Sequence, residues 1–213
     1  MNSFERKAHR CGYRLVAGID EAGRGPLAGP VVAAAVILPP GYEQGDTLQH
    51  GVPINDSKKL SPRQREKLYE TITRDAISVG IGVVEAPEID AVNILQATLA
   101  AMKEAVLALS PLPDYLLIDG LNRIDLDTSQ ETIISGDSRS LSVAAASIVA
   151  KVSRDRLMEM YHRQFPQYNF LRNKGYGTRE HREAILKYGR SKIHRRSFRV
   201  AGIDDLVNEK LQL

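Results

Sequence analysis

Apolar positions follow two different spacings along this chain, and the switches between them lay out its elements. Residues 14–20 (RLVAGID) and the near-continuous VVAAAVIL at 31–38 read as two strands, the second buried on both faces, joined as a hairpin through a glycine-rich turn. After a polar, Gly-rich loop over 39–55, Ser61-Pro62 places a serine N-cap before a first-turn proline and predicts a helix to about Asp75. Ile77 to Val84 (ISVGIGVV) alternates apolar with small or polar residues and predicts a third strand. One long helix is expected from about Pro87 to Ala108, closed by SPLP. Tyr115 to Asp119 (YLLID) predicts a fourth strand and Glu131 to Ile134 a short fifth. Ser140 to about Arg163 is helical in pattern, with small residues on one side early and a basic face later. A last helix is predicted from Thr178, a threonine N-cap, to Gly189. Five short strands interleaved with helices make an α/β fold whose mixed sheet is antiparallel at its start and parallel afterwards.

Composition bounds this picture. With 213 residues, 43% hydrophobic and 26% charged, the chain is expected to form one folding unit, without repeats or low-complexity tracts. The only cysteine, Cys11, offers neither an intrachain disulfide nor a zinc site, which fits a reducing cytosol. MNSFERKAHRCGY is charged throughout and has no secretory apolar segment. The longest apolar run, Val31 to Leu38, is eight residues, against roughly twenty for a membrane-spanning helix. A soluble cytoplasmic protein, without a membrane partner, is the expectation. Charge changes the picture more. From Lys151 to Arg199 there are fourteen Lys or Arg against four Asp or Glu, a net of +10, while the remainder carries fifteen against twenty-two, a net of −7. A cationic surface on an acidic body suits a polyanionic partner, although a solvated helical face would show the same count.

Three acids share one context: Asp20 ends the first strand, Asp119 ends the fourth, and Asp137 follows the fifth inside ISGDS. Ligands of open α/β sheets gather at the carboxyl ends of strands. Clustered carboxylates raise each other's pKa unless a cation neutralises them, and oxygen ligands suit Mg²⁺ or Mn²⁺. Glu21 joins Asp20 in one site only if the strand ends or kinks between them, since adjacent strand residues face opposite ways. Such a cluster suits two-metal phosphodiester hydrolysis, with no side-chain nucleophile; Ser57, Ser135 and Ser138 have no evident Ser-His-Asp arrangement.

Gly23-Arg24-Gly25 permits backbone N–H groups to converge on an anion, while Arg24 is equally able to pair with an acid. GRGPLAG lacks the spacing of a dinucleotide loop. Lys58 in NDSKK, and Lys174 and Tyr176 in KGYGT, are further candidate substrate contacts, the tyrosine ahead of a helix N-terminus either stacking on a sugar or base or packing within its glycine loop. His194-Arg195-Arg196 offers phosphate contacts, or a helix cap at His194.

Taken together, these segments resemble the bacterial ribonuclease HII family, the type 2 ribonucleases H. The resemblance runs from about Val16 to Phe198 through GIDEAGRGPLAGPVVAAAVIL, NDSKKLS, LIDG, GDSRS, AAASIVAKVSRD, KGYGT and HRRSF. It implies a single catalytic domain over 1–213. Its core is an RNase H-like five-stranded sheet flanked by helices, with an N-terminal extension over about 1–13 and a basic helical C-terminal portion over about 164–213. The implied activity is Mg²⁺- or Mn²⁺-dependent cleavage, using two ions, of RNA in RNA–DNA hybrids, and incision 5′ of single ribonucleotides in duplex DNA. The ends would be 5′-phosphate and 3′-hydroxyl, a reaction of ribonucleotide excision repair. By motif, Asp20, Glu21, Asp119 and Asp137 form the acidic site, with Asp155 of KVSRD as an alternative fourth acid. Gly23, Arg24 and Gly25 sense the ribose 2′-hydroxyl, the group that tells RNA from DNA, and Tyr176 stacks at the RNA–DNA junction. Ser135 stands where the family commonly has lysine, so a phosphate contact is lost or moved, with Arg139 as the candidate. Two other classes remain: a nonenzymatic nucleic-acid-binding module, which needs the basic segment and not the acids, and a DNA-directed nuclease, which has no use for a 2′-hydroxyl sensor. A monomer is expected, and the tail DDLVNEKLQL reads either as a sliding-clamp docking segment or as a frayed helix.

Overall fold

A sheet of five strands is ordered β3-β2-β1-β4-β5 in the computed structural model, which describes residues 3–40 and 60–200. The strands are β1 (Val16–Ala22), β2 (Val31–Ile37), β3 (Ser78–Val84), β4 (Tyr115–Asp119) and β5 (Ser129–Ile133). β1–β2 and β2–β3 pair antiparallel, β1–β4 and β4–β5 parallel, as the sequence pattern predicts. Lys58, the rest of NDSKK, and the tail DDLVNEKLQL lie outside the described residues.

The unbroken apolar run of β2 has a direct cause: both of its faces are covered. Ala33, Ala35 and Ile37 pack with Ala97, Ala101 and Ala105 of α4 (Ile94–Leu107), whereas Ala34 and Val36 pack with Ala144, Ile148 and Val149 of α5 (Leu141–Gln164). α2 (Pro62–Asp75) adds Leu68 and Ile72 to the α5 side, and starts at Ser61 with a reciprocal capping box to Gln64. α5 comes so near the sheet that a Cβ at Gly18 would overlap the backbone of Ser142 and Val143.

Two expectations need correction. The helix expected over 87–108 is two, α3 (Ala86–Val92) and α4, because Asn93 adopts φ 72° and its side chain accepts hydrogen bonds from the N–H groups of Leu95 and Gln96. Asparagine is enriched among the non-glycine residues found at positive φ and offers its own cap, which apolar spacing does not register. The first strand also continues past Asp20, to Ala22.

The N-terminal extension carries a helix, α1 (Ser3–Arg10), that plugs the start of α5. Glu5 is buried there, and its Oε1 accepts from the Ser140 hydroxyl (2.6 Å), the Ser142 hydroxyl (2.8 Å) and the Ser142 N–H (3.0 Å). A carboxylate at a helix N-terminus meets unpaired N–H groups and the positive end of the helix dipole.

Beyond α5 the chain forms α6 (Phe170–Asn173) and α7 (Arg179–Tyr188). Together with Met158, Tyr168 and Ile193 these elements pack around Ala28, which lies in the turn between β1 and β2. Backbone bonds hold that turn from both sides: Leu27 N–H to Gly175 O (2.8 Å), Gly29 N–H to Ile193 O (2.8 Å) and Arg195 N–H to Leu27 O (2.9 Å). The basic C-terminal portion is thus fastened to the turn that carries the glycine-arginine motif.

Replacing Glu5 by Ala would strand two hydroxyls and an N–H in a buried place. We expect a loss of about 2–3 kcal/mol, hence a thermal midpoint lower by about 4–12 °C, and a smaller loss for Glu5→Gln, which keeps the Oε1 acceptor. Calorimetry of the three proteins checks the order.

Candidate active site

A cleft opens where β1 and β4 part. Their parallel register ends at Ile19 opposite Ile118, while β1 continues against β2 to Ala22 and β4 continues against β5 to Asp119. The cleft has a volume of about 250 Å³. Asp20, Glu21 and Asp119 line it from the strands, Gly23, Arg24 and Gly25 from the turn, and Tyr176 from the loop before α7. α5 contributes Ser147, Lys151 and Arg154. Asp20 and Glu21 therefore share one site although the strand does not end between them. The parting of β1 from β4, rather than a strand terminus, lets both side chains reach it.

The electrostatics of this cleft are unbalanced. Burial, then the charges of Glu21 and Asp119, push the Asp20 carboxyl well above its usual range, against the hydrogen bonds of the Ser147 hydroxyl and the Glu21 N–H (2.7 Å). Glu21 is raised too, chiefly by burial and also by Asp119, while the Arg24 guanidinium at 3.4 Å opposes the shift. Arg24 thus pairs with an acid of the site while its loop lines the same cleft. Asp119 accepts from the Gly136 N–H (2.6 Å), which ties the turn bearing Asp137 to the end of β4.

Among the described residues no three His, Cys, Asp or Glu side chains stand as a preassembled metal cage. The donor set nevertheless fits Mg²⁺ or Mn²⁺, because such ions keep several waters and take one or two carboxylates with substrate phosphate, and because the carboxylates here hold excess negative charge.

The other expected residues divide. Asp137 is buried in the short turn Gly136–Ser138 and does not line the cleft, although its neighbour Gly136 bonds Asp119. Asp155 is ion-paired with Lys151 (2.7 Å) and lines a neighbouring groove of about 510 Å³ with Arg65, Arg172 and Lys174. Lys174 therefore belongs to the groove, which adjoins the cleft at Lys151. Arg139 does not replace a lysine at position 135 in the cleft: it donates to Ile134 O (3.2 Å) and stacks on Phe4. His194 and Arg195 are buried, at 3% and 1% exposure, so neither is a surface phosphate contact.

Three residues of α5 join the site without having been expected there. Ser147, Lys151 and Arg154 recur at helical spacing on one face of an otherwise small or apolar stretch, and that polar stripe was the available signal. Arg154 is 1% exposed and donates to the carbonyls of Pro30 (3.0 Å), Lys174 (3.0 Å) and Ala28 (3.2 Å). Gly23, at φ 103°, leaves the space this side chain occupies. A histidine pair steadies the Tyr176 loop. His194 Nδ1 faces the Ser191 N–H (2.9 Å) and His181 Nδ1 faces Tyr176 O (2.9 Å), so the His194 Nε2–H donates to His181 Nε2 (3.0 Å). That order requires both rings neutral, and burial lowers both pKa values, His194 to about 4.

The family model described as Ribonuclease HII matches residues 17–201 of the chain. The ribonuclease HII of Syntrophus aciditrophicus is 68% identical over 200 residues, covering 94% of this chain and 91% of that protein. The crystal structure of ribonuclease H2 from Pyrococcus horikoshii OT3 superposes with a TM-score of 0.73 at 26% identity, covering 93% of this chain and 99% of that one. The ribonuclease HII of Archaeoglobus fulgidus, solved in complex with PCNA, gives 0.70 at 27%, covering 90% and 100%.

A carboxyl with a raised native pKa binds its proton more tightly folded than unfolded, so the metal-free protein loses stability as pH rises above about 4, the unfolded value, through the native one. We expect Asp20→Asn to raise the thermal midpoint in EDTA at pH 8 by about 2–4 °C, the shift that about 1 kcal/mol gives in a chain of this size. Scanning calorimetry from pH 8 down to pH 5 should show the difference shrinking.

Proposed function

The chain belongs to the ribonuclease HII family, and we propose that Asp20, Glu21, Asp119 and Asp137 form its acidic centre while the Gly23-Arg24-Gly25 loop and Tyr176 recognise the substrate. It is an endonuclease that cleaves the RNA strand of RNA–DNA hybrids and cuts at single ribonucleotides embedded in DNA, and the family uses divalent metal ions. What carries the residue assignment is the convergence of three acids of β1 and β4, the glycine-arginine loop and Tyr176 on one cleft.

Asp20, Glu21 and Asp119 would hold Mg²⁺ or Mn²⁺, with Asp137 brought in from the turn that already bonds Asp119; Asp137 is preferred to Asp155, whose carboxylate is spent on Lys151. Bound ions supply an activated water and stabilise the leaving oxygen. Lys151 sets a cation beside the acids, and the Ser147 hydroxyl holds the Asp20 carboxylate. Tyr176, 47% exposed at the edge of the cleft, offers its ring to a sugar or base next to Gly25. Gly23 and Gly25 let backbone approach a ribose where a side chain would obstruct it. Arg65, Arg172 and Lys174 in the adjoining groove would take flanking phosphates. On this reading the working unit is a monomer and the whole chain acts as one catalytic domain. Action in the cytoplasm, in removal of ribonucleotides from DNA, follows the same reading.

Asp119→Asn is expected to lower cleavage of a duplex with one ribonucleotide by about 10²–10³-fold while retaining binding, and EDTA should abolish cleavage by the unmodified protein. An all-DNA duplex of the same sequence is the control; equal cutting of that duplex, or indifference to EDTA, sinks the assignment. Tyr176→Ala should weaken hybrid binding by roughly 5- to 150-fold, corresponding to about 1–3 kcal/mol per stacked base, as read by fluorescence anisotropy.

A further inference from the structure

We propose that Arg195 is the positioning residue that decides which way the peptides of the Gly23-Arg24-Gly25 loop face, and so decides the discrimination between ribose and deoxyribose. This rests on the reading of that loop as the ribose sensor. Arg195 lies 171 and 172 residues from the carbonyls it bonds, in a segment whose charge suggested a surface role. Its side chain is instead enclosed, with the guanidinium stacked at 4.9 Å from the centre of the Phe198 ring.

The guanidinium uses its fork on three backbone oxygens: Nη2 donates to Gly23 O (2.5 Å), Nη1 to Arg24 O (2.9 Å) and Nε to Gly29 O (3.0 Å). In a trans peptide the C=O and the following N–H point in opposite directions. Drawing the carbonyls of Gly23 and Arg24 inward therefore turns the N–H groups of Arg24 and Gly25 away from Arg195. Gly23, Arg24 and Gly25 line the cleft. Two consecutive donors are thereby directed to the side where a 2′-oxygen or an adjacent phosphate oxygen would sit, the arrangement that makes an anion nest.

The arginine is itself held. Its N–H bonds Leu27 O (2.9 Å) and its carbonyl accepts from Arg190 (3.1 Å), so the fork cannot slide along the loop. Burial pulls the group down to about 9, which leaves it cationic at neutral pH and makes its carbonyl partners costly to lose. A lysine keeps the charge but not the planar fork that spans two successive carbonyls. Arg154 does not substitute, since its donors go to Ala28, Pro30 and Lys174 and none to Gly23 or Arg24.

The test is made in an Asp119→Asn background so that the probes survive, with Mg²⁺ present. Anisotropy measures affinity for a duplex containing one ribonucleotide and for the same duplex made wholly of DNA. Arg195→Lys should bring the ratio of the two affinities to within about twofold of 1 while changing all-DNA affinity by less than about twofold. A ratio unchanged from the Arg195 protein, or an equal loss on both duplexes as mere loosening of the fold would give, overturns the proposal. If Arg195→Lys gives no cooperative melting transition, Phe198→Leu, which loosens the stacked guanidinium without removing a donor, is measured in its place on both duplexes. A ratio near 1 then supports the proposal, and an unchanged ratio or an equal loss on both overturns it. Failure of both variants to fold makes Arg195 a folding determinant and also ends the proposal. A ratio near 1 already with Arg195 in place refutes ribose sensing itself, and so separates that failure from failure of the Arg195 assignment.

Discussion

The contact between α5 and β1 at Gly18 is the constraint from which the rest follows. With no side chain at that position, the helix backbone at Ser142 and Val143 lies directly on the strand two residues before Asp20. That closeness brings the polar face of α5 into the cleft, so that Ser147 reaches Asp20 and Lys151 stands beside the acids. It also fixes what must happen at the helix start, where the buried Ser142 N–H would be orphaned without Glu5. The short helix of the N-terminal extension is therefore part of the same packing problem as the site, although it lies at its far end.

Opposed charges share the space around the β1–β2 turn, and burial treats them differently. The acids are kept short of compensation, with Asp20 and Glu21 raised by desolvation and by neighbouring carboxylates, a condition relieved by cations and substrate. The two buried arginines are given carbonyl oxygens instead of carboxylates as hydrogen-bond partners, three each. Arg154 grips the turn from α5 and Arg195 from the chain beyond α7, so two separate elements hold the loop. Had these arginines been paired with the site's own acids, they would have neutralised the charge the chemistry needs. Directing them to backbone separates the structural cations from the functional anions within one small region.

Five strands, their mixed order and the longer helices were legible because β2 and β4 are short apolar runs and the longer helices carry cap and breaker signals at their ends, whereas the short helices α1 and α6 carry neither signal and went unread. The break at Asn93 was not, because an asparagine that caps the next helix leaves apolar spacing intact on both sides. Asp20 and Asp119 were legible as acids at strand ends and Glu21 through the family resemblance, and the cleft contains all three. Asp137 and Lys174 read equally well in the chain, yet one is buried behind Asp119 and the other faces a separate groove. Arg195 read as a surface cation because charge counts along a sequence carry no information on which face of a loop is covered.

By itself, then, the sequence determined the strands of the sheet, the acids on its central strands and the glycines that free the turn, since each of these is written in local spacing and residue type. Only the tertiary structure decided that Asp20 and Glu21 face one cleft without the strand ending between them, because that depends on β4 leaving β1 after Ile118. It alone decided, too, that Arg154 and Arg195 face inward and fasten the turn, because their partners are backbone oxygens. Every residue has such an oxygen, and no sequence pattern marks which of them will meet a given side chain.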